Sequence, residues 1–532
     1  MLKKIETLTI TVIFVFIFFC AIKIGHSWDL GMEVDRGNQR LKYILFQSSF
    51  ERYTSLSRNI GDEFYPGFYT TLASFITKFF PKKFEFEVWQ LTNSLFAIFT
   101  VFGIYKISKI FFNKQAAKII FILCILNPIF FGHMAMNPKD IPIAFANVWS
   151  TYIFLKYIQN QDMKSNKYIL LAGLTIGFGT GMRIPFIVTL FPIFIFVLID
   201  MFFLKKITNQ NFSLKKFILH FLIVLIIAYL VTISCWPHVH GNIFTEPFKI
   251  ASGINKFPLF GLPWILLDGN FYDNNNLPTF YIFINLFYKS PEFILLCYVI
   301  LIYILIYDKG FFLSRFNFFQ GKILLILTIL LFPTILFIVY PYKVYDGLRL
   351  FLYLIPFFCL LPGLAIYYLI YNYKILTNKI LLGLIACFFV YFIIAFIKLT
   401  PYQYTYLNLF AGNFSNAHKN FENDYWAVSI KELIKKIPQE SSLISTEPKI
   451  NLAYCGLPHS LVKKELKKIK ELNYQVVDLN DESVDYILMT NRIYETKDGN
   501  LKTCFSNFAG QDIIYVKRNG LILSTLRKII NN

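Results

Sequence analysis

Residues 130–149 read FFGHMAMNPKDIPIAFANVW, and this stretch decides the fold class. Lys139 and Asp140 stand in a tight Asn-Pro…Pro turn between two strongly apolar runs. Charges at the end of a membrane span cost several kcal/mol unless they are paired, hydrated or used. The rings of Pro138 and Pro142 fix φ on either side and leave the residues between them few conformations. So short a turn has little room to be mere linker, and the expectation is a reactive site at a membrane surface. The bland alternative is a snorkelling lysine beside an aspartate that caps the next helix.

The rest of the chain supplies the membrane part. Of 532 residues, 56% are hydrophobic and 19% aromatic, and the mean hydropathy of +0.52 is too high for a soluble protein of this size. Windows of about 17–25 residues mark about eleven spans. They lie near 5–25, 86–106, 116–133, 141–158, 168–183, 184–204, 214–236, 290–307, 321–340, 350–371 and 377–398. Pro and Gly inside several of them are tolerated where neighbours satisfy the freed backbone groups.

Basic residues of the short loops set the orientation. One side carries many lysines, among them Lys3, Lys4, Lys106, Lys109, Lys114, Lys118, Lys205, Lys206, Lys215 and Lys216, whereas the other side's short loops carry only Lys139, Arg183, Lys343 and Arg349. The first side, with the N-terminus, is therefore expected to be cytoplasmic. The net charge of +20 is largely this bias, so the bilayer is the implied partner and nucleic acid is not required. The first span reads as a retained anchor, since it lacks a small-x-small cleavage site and Phe19 precedes Cys20.

That topology leaves two long outer loops, 26–85 and 237–289, and an outer tail from 399 to 532. The tail turns polar, with a helical run at Trp426–Ile437 and strand-like pieces at Tyr474–Leu479, Tyr486–Met489 and Ile513–Val516. The expected organisation is a membrane domain over 1–398 and a small extracytoplasmic α/β domain over 399–532, large enough to hold its own core. Cys455 and Cys504 both fall in this tail, where free thiols are favoured over a disulfide. In the first outer loop Asp29, Glu33 and Asp35 precede Arg40–Phe50, an amphipathic segment suited to lie in the interface. Asp29 and Glu33 read best as solvating a loop, and Asp35 as functional.

Here the chain resembles a known family. Asp35-Arg-Gly-Asn-Gln39 looks like the Asp-x-Gly-x-Gln start of bacterial phospholipid-carrier-dependent glycosyltransferases, members of the dolichyl-phosphate-mannose–protein mannosyltransferase superfamily with the GT-C fold. The resemblance continues through Gly132–Pro142, Gly173–Arg183, Trp236-Pro237, Tyr345–Arg349, Pro401–Tyr404, Asn408…Gly412 and Asp424–Trp426. Single motifs are only moderately specific; their order along the chain is the stronger argument.

The resemblance implies a sugar carried on a polyprenyl phosphate and transferred by an inverting displacement on the extracytoplasmic face, to an acceptor (lipid, glycan or protein) that the sequence does not name. Such chemistry needs a carboxylate to take the acceptor's proton and cations to hold the departing phosphate. Asp35 is the expected base, with Asp140 orienting the acceptor or the donor sugar. Lys139, Arg183 and Arg349 are the expected phosphate ligands, each with an alternative reading as a headgroup anchor. Gln39, Glu63 and Asp346 are candidate donor or acceptor contacts.

The departures from the family pattern matter. The acid common after the first Asp is replaced by Arg36, Leu350 stands where relatives carry His, and the Trp-Pro loop continues as His238-Val-His240. An H-x-H with acids nearby has the ligand types of a divalent-metal site, although interface histidines are commoner and no other cofactor is implied. Two other classes of protein make different predictions. A flippase for lipid-linked glycans, or another transporter, predicts charges deep within several spans and matched halves, neither of which the sequence displays. A membrane-anchored assembly protein would leave Lys139, Asp140, Asp346 and Arg349 without a task.

Overall fold

The computed structural model describes residues 2–56, 61–159, 161, 165–204, 212–253, 264–412, 414–440, 449–469, 472–496 and 498–530. A helix occupies every window expected to span. In chain order α1 covers Leu2–Lys23, α2 Leu30–Ile44, α3 Phe50–Leu56, α4 Phe68–Thr77, α5 Glu85–Phe111, α6 Lys114–Ile125, α7 Pro128–Met136, α8 Asp140–Gln159, α9 Ser165–Thr180, α10 Phe191–Ile199 and α11 Leu214–Ser234. Further helices include Tyr281–Lys289, Glu292–Tyr307, Phe319–Val339, Leu360–Tyr371 and Leu376–Lys398. The protein is an integral membrane protein of helical architecture.

Among the described residues, six helices are long and apolar enough to cross a membrane, or up to eight if each bent pair is one span. The larger number expected from sequence includes elements that fall short of that standard. α9 has 16 residues, and α8 buries Asn147, Ser150 and Thr151 along its length. The bends have local causes. α6 and α7 meet at 62°, where Pro128 cannot donate to the preceding turn and the Asn127 side chain caps Phe130 N at 3.1 Å. A second break of 115° divides Tyr281–Lys289 from Glu292–Tyr307, beside Pro291.

The described residues of 26–85, expected as an outer loop, form a helical layer. Its amphipathic helix begins at Leu30 and ends at Ile44, so the expected segment Arg40–Phe50 holds only its last turn. Leu30, Val34 and Leu41 are buried on one face of α2, and Gly37 lies against α4 so closely that a Cβ there would sit 2.4 Å from Thr70 O. Between α9 and α11, Gly173 and Gly177 form a small-xxx-small stripe, where a Cβ would come within 2.6 Å of Ile227 and of Val231.

The tail contains the expected sheet, with strands the sequence reading missed. A hairpin of β1 (Trp264–Leu267) and β2 (Asn270–Asp273) precedes it. The sheet comprises β3 (Ile450–Cys455), β4 (Tyr474–Val476), β5 (Tyr486–Thr490), β8 (Gly510–Arg518) and β9 (Leu521–Ile529), with the small ribbon β6 (Ile493–Glu495) and β7 (Leu501–Thr503) beside it. Its order is β4-β3-β5-β9-β8; β3 is parallel to both neighbours and the β8–β9 hairpin is antiparallel. Cys455 and Cys504 are joined in a disulfide, contrary to the expectation of free thiols. β3 and the turn after β7 carry the two cysteines to one small core with Ala453, Ile487 and Met489, a proximity that a separation of 49 residues conceals. The main hydrophobic core runs without a break from Ile17 in α1 to Leu526 in β9.

One contact ties α7 to the segment after the last membrane helix. Gly132 lies against the turn at Tyr404, where an added Cβ would meet the backbone nitrogen at 2.2 Å. Overpacking of this kind costs about 1–3 kcal/mol. Gly132→Ala is therefore expected to lower the melting temperature of the detergent-solubilised protein, and unchanged melting would contradict the packing described.

Candidate functional site

The helical period of α2 sorts its charged residues. At about 100° per residue, Asp29, Glu33, Arg36 and Arg40 fall within one narrow stripe, and Asp35 falls about 120° away. The stripe faces inward: Glu33 and Arg40 are buried, whereas Asp35 is exposed. The α7–α8 turn faces this stripe. Asn137 Oδ1 accepts from the backbone nitrogens of Lys139 at 3.2 Å and Asp140 at 2.9 Å. Asn93 Nδ2 in turn donates to Asn137 O at 2.8 Å. Asn137 thus does the capping, and the Asp140 carboxylate is turned toward arginines.

Around this turn the charges interlock. Lys139 Nζ lies 3.1 Å from Glu33 Oε1 and 3.4 Å from Asp29 Oδ2. Arg349 places each guanidinium nitrogen on a different carboxylate: Nη2 on Asp29 Oδ2 at 2.5 Å, Nε on Asp140 Oδ2 at 3.0 Å and Nη1 on Asp346 Oδ2 at 3.0 Å. Arg183 Nη1 approaches Asp140 Oδ1 at 3.5 Å from the other side. Its side chain is 20% exposed against 4% for Arg349, so it is the more open of the two cations. The ring of Tyr65 lies beneath Lys139 at 5.0 Å and beneath Arg183 at 5.7 Å. Arg36, in the place of the expected acid, pairs with Glu33 at 2.6 Å and with Asp62.

The turn that carries Arg349 is itself unusual. Asp346 and Gly347 both have left-handed backbones, φ 57° and 64°, and a Cβ on residue 347 would meet Lys289 Nζ at 2.2 Å, which accounts for the glycine. Asp346 Oδ2 also accepts from Trp426 Nε1 at 3.0 Å, and the Trp426 ring lies 4.2 Å from the Arg349 guanidinium. Tyr425 OH meets His133 Nε2 at 2.8 Å. Asp424 accepts the backbone nitrogens of Val428 and Ser429 at 3.0 and 2.9 Å, which makes it an architectural residue. The motifs Gly132–Pro142, Tyr345–Arg349 and Asp424–Trp426 therefore converge at one place.

Of the expected site residues, Lys139, Asp140, Arg183, Asp346 and Arg349 come together. Asp35 does not join them; it lies beside Glu85 and Lys464, and burial followed by the Glu85 charge raises its pKa. Gln39 is half-buried on α2 outside the cluster. Glu63 holds the Gly61 nitrogen at 3.1 Å, and its carbonyl takes Trp236 Nε1 at 2.8 Å, which gives the Trp-Pro motif its role. The histidines are not assembled as a metal site. His240 is engaged by Ile233 O at 2.8 Å and Tyr43 OH at 3.3 Å. Burial and the Arg40 charge push His238 down to about 4, and a nearby guanidinium opposes a second cation. Among the described residues, no three His, Cys, Asp or Glu side chains converge as a metal would need. The residues missed were Asp29 and Glu33, read as loop solvation, and Asn137, Tyr65 and Trp426. The stripe spacing on α2 was the available signal for the first two.

Burial alone would raise the pKa of both Asp29 and Glu33, but Lys139 (with Arg349 for Asp29 and Arg36 for Glu33) overcomes it. Asp29 is held well below the usual carboxylate range, and Glu33 is lowered from 4.5 to about 2. The same acids hold Lys139 charged against its own burial. A carboxylate whose folded pKa is depressed contributes its full stability above the unfolded pKa and loses it as pH falls through the folded one. Stability should thus decline on acidification from about pH 4.5 toward 2. Glu33→Gln should lower the melting temperature at pH 7, since removing one partner of a buried pair costs about 3–5 kcal/mol, and should flatten the acid limb. A melting curve as steep in acid as the wild type's would refute the assignment.

Comparison with known proteins agrees with the motifs. A model of the dolichyl-phosphate-mannose-protein mannosyltransferase family matches residues 67–236, which hold the Asn137–Pro142 turn and Arg183. No curated protein matches the chain in sequence. Two solved structures resemble it over nearly their whole length, both of ArnT from Cupriavidus metallidurans. The apo state shares 9% identity at a TM-score of 0.49, covering 100% of this chain and 99% of that one. The form bound to undecaprenyl phosphate shares 10% at 0.48, covering 98% of each.

Proposed function

From the family match over residues 67–236 we infer that this chain is a membrane glycosyltransferase of the dolichyl-phosphate-mannose–protein mannosyltransferase superfamily, drawing its sugar from a polyprenyl-phosphate donor. The observation that carries the site is the Lys139–Arg183–Arg349 cation group, gathered on Asp29 and Asp140 with Lys139 and Arg183 over the Tyr65 ring. These cations bind the lipid phosphate, with Arg183 as the first contact because it is the most open. The acceptor oxygen attacks the anomeric carbon, the bond from that carbon to the phosphate oxygen breaks, and the phosphate departs with the electron pair. The acceptor's proton passes to a carboxylate, and the preorganised cations stabilise the charge that develops on the leaving group.

Geometry favours Asp29 over Asp35 as that carboxylate. Asp29 contacts both Lys139 and Arg349, so an arriving phosphate competes for its partners. Once those cations turn to the phosphate, Asp29 regains ordinary basicity where the acceptor must sit. Donor binding thus switches on the base. Asp140, held by Asn137 at 3.0 Å and by both arginines, orients the sugar.

Reaction on the extracytoplasmic face of a bacterial inner membrane, with the tail outside, is supported by the lysine bias of the opposite loops. The disulfide Cys455–Cys504 supports it too, because such bonds persist in oxidising compartments. The sheet-bearing tail from residue 399 is then an extracytoplasmic domain, and the acceptor reaches the site between that domain and the outer helical layer.

Transfer by the reconstituted protein from a radiolabelled polyprenyl-phosphate sugar tests this reading. Arg183→Ala should raise the apparent KM for donor with folding intact. Asp29→Asn should lower transfer by about 10²-fold or more, with Asp35→Asn close to wild type. If Asp35→Asn abolishes transfer and Asp29→Asn does not, the base lies on the outer face of α2 instead.

A further inference from the structure

The tail does more than cover the membrane part. Between β5 and β6, Arg492 is 5% exposed, and its guanidinium reaches back into the site. Nη1 and Nη2 each donate to Asp346 Oδ1 at 3.2 Å, and Nη1 also donates to the Tyr425 carbonyl. The same guanidinium lies 5.3 Å from the ring of Trp28, the residue before Asp29. Asp346 is thereby divided between two arginines: Oδ1 takes Arg492 from the tail, and Oδ2 takes Arg349 from its own turn.

We propose that Arg492 is a positioning residue for the cation site, holding the Asp346 carboxylate so that Arg349 faces Asp29 and Asp140. The proposal rests on the donor reading only for its effect on ligand binding. A non-glycine residue at φ 57° persists where its surroundings over-determine it, and Arg492 supplies much of that constraint. Its own backbone is fixed in turn. Arg492 O accepts from Cys504 N at 2.8 Å, and Cys504 is bonded to Cys455. The neighbouring Asn491 binds Phe421 O at 2.9 Å and the Asn423 nitrogen at 2.9 Å, so the clasp grips the segment leading to Trp426. A chain of fixed groups thus runs from the disulfide through Arg492 and Asp346 to Arg349.

Three variants of the full-length protein decide the matter. R492M removes the clasp, R492K keeps charge without the planar fork, and R527M breaks a different pair in the same sheet, Arg527 with Asp512 at 2.7 Å. With undecaprenyl phosphate as the probe, R492M should weaken binding on the order of tenfold, as expected for coupled neighbours. R492K should recover part of the loss and R527M should bind normally. R349A combined with R492M should bind no more weakly than R349A alone, because Arg492 acts through Arg349. Amide exchange over residues 344–350 of the ligand-free protein should accelerate in R492M and not in R527M. Multiplicative losses in the double variant, or unchanged exchange in a folded R492M, would overturn the proposal. Wild-type protein that fails to bind the probe would refute the donor reading, and the exchange measurement would still decide the role of Arg492.

Discussion

Three carboxylates on one guanidinium hold this structure's centre together. Arg349 bonds Asp29 from the outer helical layer, Asp140 from the start of α8 and Asp346 from its own turn. No apolar contact could fix three chain segments so specifically, because dispersion has no direction and a guanidinium has fixed donor vectors. Desolvating such a group is costly, and a buried ion pair adds little net stability over a hydrophobic equivalent. The arrangement therefore makes more sense as preorganisation than as stabilisation. The linked network joins six acids (Asp29, Glu33, Asp62, Asp140, Asp346, Glu422) to five cations (Arg36, Lys139, Arg183, Arg349, Arg492), so the acids outnumber the cations by one, and burial raises the Glu422 carboxyl to about 7.

That excess of acids has a chemical consequence. An anionic ligand entering the network leaves it with excess negative charge, and the most easily relieved excess is a carboxylate that takes up a proton. A network already rich in carboxylates takes up a proton more readily when a further anion enters it. On the proposed reading this would couple donor binding to base activation, and it follows from charge without any movement of the backbone.

Much of this was legible in the sequence. The apolar windows are helices, and Lys139, Asp140, Arg183, Asp346 and Arg349, each a candidate from the sequence, lie together. What escaped did so for identifiable reasons. Asp29 and Glu33 were taken for solvating acids because the first outer loop was read as a loop; on a helix from Leu30 their spacing of four places both on the stripe with Arg36 and Arg40. Asp35 stood out by motif, but two residues beyond Glu33 it turns to the other side. The clasp of Arg492 had no local signal at all. Its partner Asp346 is 146 residues away, and neither composition nor periodicity reports contacts at that range.

The same logic explains why the site sits where the chain changes character. α7 and α8 would form a continuous hairpin of apolar helices but for Asn137, whose side chain takes the two backbone nitrogens that an ordinary turn would leave to water. The turn is buried, so the amide oxygen of Asn137 is what lets Lys139 and Asp140 present their charges inward instead of folding back onto the backbone. Tyr69, fully buried, holds Asn93 at 3.1 Å, and Asn93 holds the Met134 and Asn137 carbonyls. These neutral polar groups satisfy the backbone so that the charged ones need not. Lys139 and Asp140 are thereby committed to ion pairs with Asp29, Glu33, Arg183 and Arg349 rather than to the backbone.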